Sequence, residues 1–224
     1  ILLKWIKNGN VDVTKAETGI FKTKTTKIIM QTSHEEEGKE KELYDMMFNA
    51  SKDGILENKE FENYCSDHYS TIFNWFNETL KEEFDKLKDT DYLISVEEKK
   101  LFGKSIDYNA TDKLNETASH LAGLKKFFKE FGNIQDKTAI EVNLWEEYLM
   151  YAQIFGMAKE VAKEFKKLYP DVITDQNYDT FVMINTFSTN SIHAASIAKS
   201  RAESYSAGGG GFSSGGGGGG SFGG

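Results

Sequence analysis

Cysteine, proline and arginine each occur once in this chain, and the scarcity of cysteine and arginine removes two classes of chemistry. Cys65 is the one cysteine among 224 residues, so no internal disulfide and no thiolate metal cluster can form, a pattern that fits a reducing compartment. Arg201 is the single arginine, which withholds the planar fork that reads phosphates and base edges. The four histidines, His34, His68, His120 and His193, stand far apart without HExxH or HxH spacing, so a zinc site or a histidine-based triad is not expected. No apolar run reaches 18 residues, and the opening Ile1-Leu2-Leu3-Lys4-Trp5-Ile6 has no signal-peptide layout. It starts inside what reads as an amphipathic helix, so the chain is expected to be a fragment of something longer. Walker loops, GxSxG and dinucleotide fingerprints are also missing.

What is present is ample for a core: 39% of residues are apolar and 28% charged. Twelve of the 20 glycines fall in the last 17 residues, so 207–224 reads as a disordered Gly-rich tail. The net charge of −8 is uneven, because residues 34–99 hold 19 acidic against 8 basic side chains.

After the first helix, the alternation in Val11-Asp12-Val13-Thr14 and the β-branched run Lys27-Ile28-Ile29-Met30 predict a hairpin. Ser33 and Glu36 form a capping-box pattern ahead of a helix with Leu43, Met46, Met47 and Ala50 on its apolar face. A short extended piece at Ile55-Leu56 precedes helices at about 58–65 and 68–88. On the second, Ile72, Phe76 and Leu80 are spaced by four, widened by Phe73, Phe84 and Leu87. A second hairpin follows at 92–108 around the charged tip Glu97-Glu98-Lys99-Lys100. Helix, short strand, helix, long helix and hairpin is the winged-helix order. Residues 34–108 are therefore expected to be a winged-helix-like unit, with 1–31 as the back end of a truncated first copy, together filling 1–108. Residues 109–206 read as helical, with helices at about 111–131, 139–169 and 181–206, the middle one opened by the capping box Thr138 to Glu141 and stopped by Pro170. The class is thus mainly α. The broad face of Leu144, Tyr148, Tyr151, Phe155, Val161, Phe165 and Leu168 is expected to be an inter-helix core, or failing that a docking surface.

The sharpest chemical pattern runs from Asn49 to Glu60. It matches a calcium-binding EF-hand loop at Asn49, Ser51, Asp53, Gly54, Leu56 and Glu60, with Glu57 as a further carboxylate. Asn at the first position, Ser at the third and the lack of a second loop count against it. The simpler reading is a turn at Asp53-Gly54 between a helix and a strand, so no metal ligand is assigned. The 68–88 helix carries Glu78, Glu82, Glu83 and Asp85, which repel phosphate, and nucleic acid is not an expected partner. Cys65 reads as a half-buried thiol rather than a nucleophile. No catalytic residue and no cofactor site is assigned.

The stretch Leu144-Trp145-Glu146-Glu147-Tyr148-Leu149-Met150-Tyr151-Ala152, then Phe155 to Val161, Leu168-Tyr169-Pro170 and, upstream, Leu121 to Phe131, resembles the bacterial predicted membrane protein family, domain of unknown function 2207. The resemblance is most specific over 111–224 and extends loosely to Leu2 to Val13. It implies a membrane-anchored parent with this region on the cytoplasmic side of the cell membrane, and no established activity. Relatives commonly carry an apolar pair of spans before the equivalent of Thr111, whereas Glu97 to Lys104 is charged here. The expected function is a non-enzymatic structural or protein-interaction module whose partners are other proteins at the membrane. The alternative is a calcium-responsive module built on the 49–60 loop.

Overall fold

The computed structural model describes residues 1–18, 23–31, 36–100, 103–130, 145–171 and 174–207. Its elements run α1 (Leu2–Lys7), β1 (Val11–Thr18), β2 (Thr23–Met30), α2 (Gly38–Ser51), β3 (Ile55–Glu57), α3 (Asn58–Asp67), α4 (Tyr69–Lys88), β4 (Leu93–Lys100), β5 (Gly103–Ala110), α5 (Asp112–Glu130), α6 (Trp145–Ile154), α7 (Ala158–Leu168) and α8 (Asp175–Ala207). The mainly α class holds. The Gly-rich tail from Gly208 onward, His34 and the Thr138 capping box all lie outside the described residues.

β1 and β2 pair antiparallel from Val11↔Met30 to Thr18↔Thr23, as the alternation predicts. Successive strand residues face opposite sides, so β2 buries Thr26, Ile28 and Met30 while Ile29 stays exposed. β3 then adds to the free edge of β2, with Ile28 opposite Leu56, both fully buried. The Lys27 ammonium, 2.8 Å from a Glu57 carboxylate oxygen, secures the same register. Gly54 makes the approach possible: at φ +81° its carbonyl accepts the Met30 N–H at 2.8 Å, a backbone conformation that residues with a Cβ rarely adopt.

A self-contained winged unit at 34–108 would close its short strand onto its own terminal hairpin. Here β3 belongs to the β1-β2-β3 sheet, while β4 and β5 form a separate two-stranded sheet. The strand hydrogen bonds therefore cross the boundary expected between the two copies. Ser33, the expected N-cap of the first capping box, lies outside the described residues. α2 begins at Gly38 with Glu37 at its N-cap, and Glu36 instead accepts a hydrogen bond from the Asn10 amide at 2.5 Å. A capping box does form at α3, where Glu57 and Glu60 exchange side-chain and backbone bonds.

Two apolar clusters hold the chain together. The first gathers Trp5, Val11, Ile28, Tyr44, Met47 and Leu56 under α2 and α3. Trp5 meets Tyr44 edge to face at 5.2 Å, and the Tyr44 hydroxyl donates to the Gln31 carbonyl at 2.8 Å. Each such side chain contributes about 1.5–3 kcal/mol by leaving water. The second cluster is Phe128, Leu149, Ala152, Val161, Ala162, Phe165 and Phe181. Phe165 is fully buried and packs on Tyr148 at 6.0 Å, so Tyr148, Phe155, Val161 and Phe165 of the aromatic face enter an inter-helix core, whereas Tyr151 and Leu168 are exposed and Leu144 lies outside the described residues. Among the described residues of the single helix expected over 139–169 there are two helices. Gly156, at φ +70°, lets the Met157 N–H reach back to the Ala152 carbonyl at 2.8 Å and closes α6. α8, about 50 Å long at 1.5 Å per residue, joins the clusters: Phe181 enters the second, while Ile184, Phe187 and Ala195 enter the first. Phe187 stacks on Phe61 of α3 at 5.3 Å.

Candidate interaction surface

In the EF-hand-like stretch, Asn49 and Ser51 lie in the last turn of α2, not in an open loop. The Ser51 hydroxyl donates to the Phe48 carbonyl at 2.7 Å and accepts the Gly54 N–H at 3.0 Å. Asp53 Oδ1 accepts the Ile55 N–H at 3.0 Å, an Asx turn. Glu60 Oε2 accepts the Glu57 N–H at 3.1 Å, and Glu57 pairs with Lys27. Ser51 Oγ, Asp53 Oδ1 and Glu60 Oε2 thus shape the helix end, the turn and the next helix start. The geometry is that of the turn.

Among the described residues, the other reactive side chains are dispersed. His68 sits between α3 and α4, its ring stacked on Tyr64 at 4.3 Å with Nδ1 3.1 Å from the Tyr64 carbonyl. His120 and His193 are exposed on α5 and α8. Cys65 is buried in the first cluster, and burial, aided by Glu62, pushes its thiol up to about 12, the opposite of what a nucleophile needs. Among the described residues, no three His, Cys, Asp or Glu side chains are grouped to hold a metal ion.

The unusual feature is an arm. α4 is anchored at its start by Ile72 and Trp75, which are buried. The Trp75 indole donates to the Lys39 carbonyl at 2.9 Å, and Lys39 Nζ lies 2.6 Å from Glu78 and 2.9 Å from Glu42. Those carboxylates hold Lys39 well above its ordinary pKa. Beyond Trp75 no described residue is buried until Phe128, near the end of α5. Residues four apart are displaced by about 40° around a helix axis. The ridge Ile72, Phe76, Leu80, Phe84 therefore winds roughly 120° away from the core, and helix spacing by itself cannot keep it covered. Phe76, Leu80 and Phe84 are 37%, 68% and 44% exposed.

The β4–β5 hairpin folds back on the same helix. Phe84 meets Tyr108 edge to face at 6.1 Å, and Lys88 Nζ lies about 5 Å over both rings. At its base Thr111 Oγ1 donates to the Tyr92 carbonyl at 3.0 Å, and Lys113 pairs with Asp91 at 2.7 Å. Ile106, two residues from Tyr108 on the same hairpin face, is 57% exposed. The arm is thus braced in place yet presents apolar side chains to solvent. Soluble chains rarely expose contiguous apolar patches larger than a few hundred Å² without a partner for them. The spacing of Phe76, Leu80 and Phe84 marks a stripe, and a stripe reads as core. The signal in the sequence that separates them from the core is their drift around the helix away from Ile72 and Trp75.

No helix among the described residues is long and apolar enough to cross a membrane. No curated protein and no solved structure matches the chain. Residues 99–165, which take in β5, α5, α6 and most of α7, do match the family described as "Predicted membrane protein (DUF2207) C-terminal domain", and over that stretch the chain is similar to this family of predicted membrane proteins of unknown function.

Proposed function

We propose that this chain is a non-enzymatic region of a membrane-anchored protein, facing the cytoplasm and binding a protein partner at the membrane through the α4–hairpin arm. The observation that carries this reading is the arm itself: a braced helix and hairpin that leave Phe76, Leu80, Phe84 and Ile106 in solvent while both cores lie elsewhere. The family description supports the membrane context. The dispersed histidines and the inert Cys65 favour binding over chemistry. The acidic side chains of α4, held by Lys39, Lys86 and Lys88, favour a protein partner over nucleic acid.

Site-specific photo-crosslinking in native membranes tests it. A crosslinker at Ile106 of the full-length protein is expected to trap a discrete protein adduct, lost on Leu80→Asp, whereas a crosslinker at the exposed Lys159 of α7 traps none. Impermeant amine labelling of Lys81 in intact cells is expected to require lysis. Arm positions that yield no adduct would remove the interaction reading, and labelling without lysis would reverse the sidedness.

A further inference from the structure

Resting on that reading of the arm, we infer that its partner is a second copy of this chain, with the two α4 helices crossing about a two-fold axis that runs along the ridge Phe76-Leu80-Phe84. Such an axis brings each ridge alongside its own copy, Leu80 against Leu80 and each phenylalanine against its counterpart. That is the isologous pairing a two-fold demands. Ridges spaced by four on both helices align at a crossing angle of about −50°, the commonest packing of helices in globular proteins.

The flanks of the ridge select this arrangement. At 100° per residue, Asn77 and Lys81 fall on one side of the Leu80 direction and Thr79 and Glu83 on the other. The two-fold exchanges the sides, so the Lys81 ammonium of one copy faces the Glu83 carboxylate of the other, which its own Lys86 also reaches at 2.5 Å, and Asn77 lies between Thr79 and Glu83 of the other copy. An antiparallel crossing would instead set Glu83 beside Glu83, a like-charge contact. Glu78 and Glu82 are turned to the far side of the helix, where Lys39 Nζ lies 2.6 Å and 3.8 Å from them. The face is complementary in charge to itself.

The area is sufficient. Phe76, Leu80, Phe84 and Ile106 are 37%, 68%, 44% and 57% exposed. At roughly 200 Å² per large side chain they present about 400 Å² of apolar surface per copy. A specific interface at the lower size limit, about 600 Å² per partner and about 65% apolar, needs that much. A contact at that lower limit is a weak and transient one, with a dissociation constant sought in the micromolar range.

Sedimentation equilibrium of the 224-residue chain from about 1 to 300 μM tests it, a range that brackets such a constant. A monomer–dimer equilibrium is expected. Leu80→Asp, which sets two carboxylates together on the axis, is expected to weaken it at least about tenfold. Asn77→Lys, facing Glu83 of the other copy, is expected to tighten it by about threefold. Both side chains are exposed, so the melting temperature of each variant should match that of the parent chain. A monomer at every concentration or a dimer indifferent to Leu80→Asp would overturn the inference. So would a dimer weakened by Asn77→Lys, the result of an antiparallel crossing that sets residue 77 against Lys81. If the chain stays monomeric while the Ile106 crosslinker traps a different protein in membranes, the second copy is refuted and the interaction reading stands. If neither is seen, both fall.

Discussion

Glu60 separates a calcium loop from a helix cap in one series of measurements. As the twelfth residue of an EF-hand loop it would supply two oxygens to the ion. In the fold its Oε2 accepts the Glu57 N–H at 3.1 Å, so its work is to satisfy a donor at the start of α3. Removing that acceptor with Glu60→Ala should cost about 1 kcal/mol. In a chain of this length that lowers the melting temperature by about 2–4 °C. Glu60→Gln keeps an acceptor and loses only the interaction of the charge with the helix N-terminus, on the order of 0.5 kcal/mol. Calcium should not matter to either variant or to the parent. For comparison, an ion bound with a dissociation constant of about 0.1 mM would, at about 1 mM, add about 1.4 kcal/mol and raise the melting temperature by about 3–6 °C. Thermal melts with about 1 mM calcium or with chelator therefore resolve the two readings. A calcium-dependent rise that disappears in Glu60→Gln would refute the turn assignment and restore residues 49–60 as a binding loop.

Two further outcomes follow from the packing and the charges. Phe165→Ala, at a fully buried position in the second cluster, should destabilise the chain by about 3–5 kcal/mol in urea unfolding, and a loss below about 1 kcal/mol would mean the aromatic face is not a core. Hydrogen-bonded lysines hold Glu78, Asp85 and Asp91 below the ordinary carboxylate range through Lys39, Lys88 and Lys113 respectively. Because their folded pKa values are depressed, the stability they contribute is present above the unfolded carboxylate value and is lost as pH falls through the folded ones. Melting temperature should therefore hold from about pH 7 to about 5 and decline below about pH 4.5, and a flat profile down to about pH 3 would contradict the assignment.

The elements legible in the sequence are those whose signal is local. The alternation in Val11 to Val13 and the run Lys27 to Met30 specify the first hairpin, and Tyr148, Phe155, Val161 and Phe165 of the expected aromatic face enter the second core while Tyr151 and Leu168 do not. The elements that differ from expectation depend on information that a local pattern does not hold. Nothing in Ile55-Leu56-Glu57 says which edge it will join. That choice is made by a remote match of Ile28 to Leu56 and of Lys27 to Glu57. The break at Gly156 is hidden because the apolar spacing continues straight through it, while the backbone at φ +70° does not. The EF-hand pattern shares its residue types with an ordinary turn, since Ser, Asp and Gly serve both, and only the direction of their hydrogen bonds distinguishes them.

The arm shows where a hydrophobic pattern stops predicting burial. Ile72 and Phe84 belong to the same four-residue ridge, yet one is 5% exposed and the other 44%. A straight helix against a compact core can keep only about two turns of such a ridge in contact before the winding carries it off. A chain needing α4 only as a core helix could end it soon after Trp75 or continue it with polar residues. This one continues for about three more turns, keeps Phe76, Leu80, Phe84 and Leu87 along them, and folds a hairpin back to hold the far end through Tyr108 and Lys88. The brace stiffens the ridge without covering it. Rigid apolar surface of that kind loses little conformational freedom when a partner arrives, which is the condition under which a modest area can still bind.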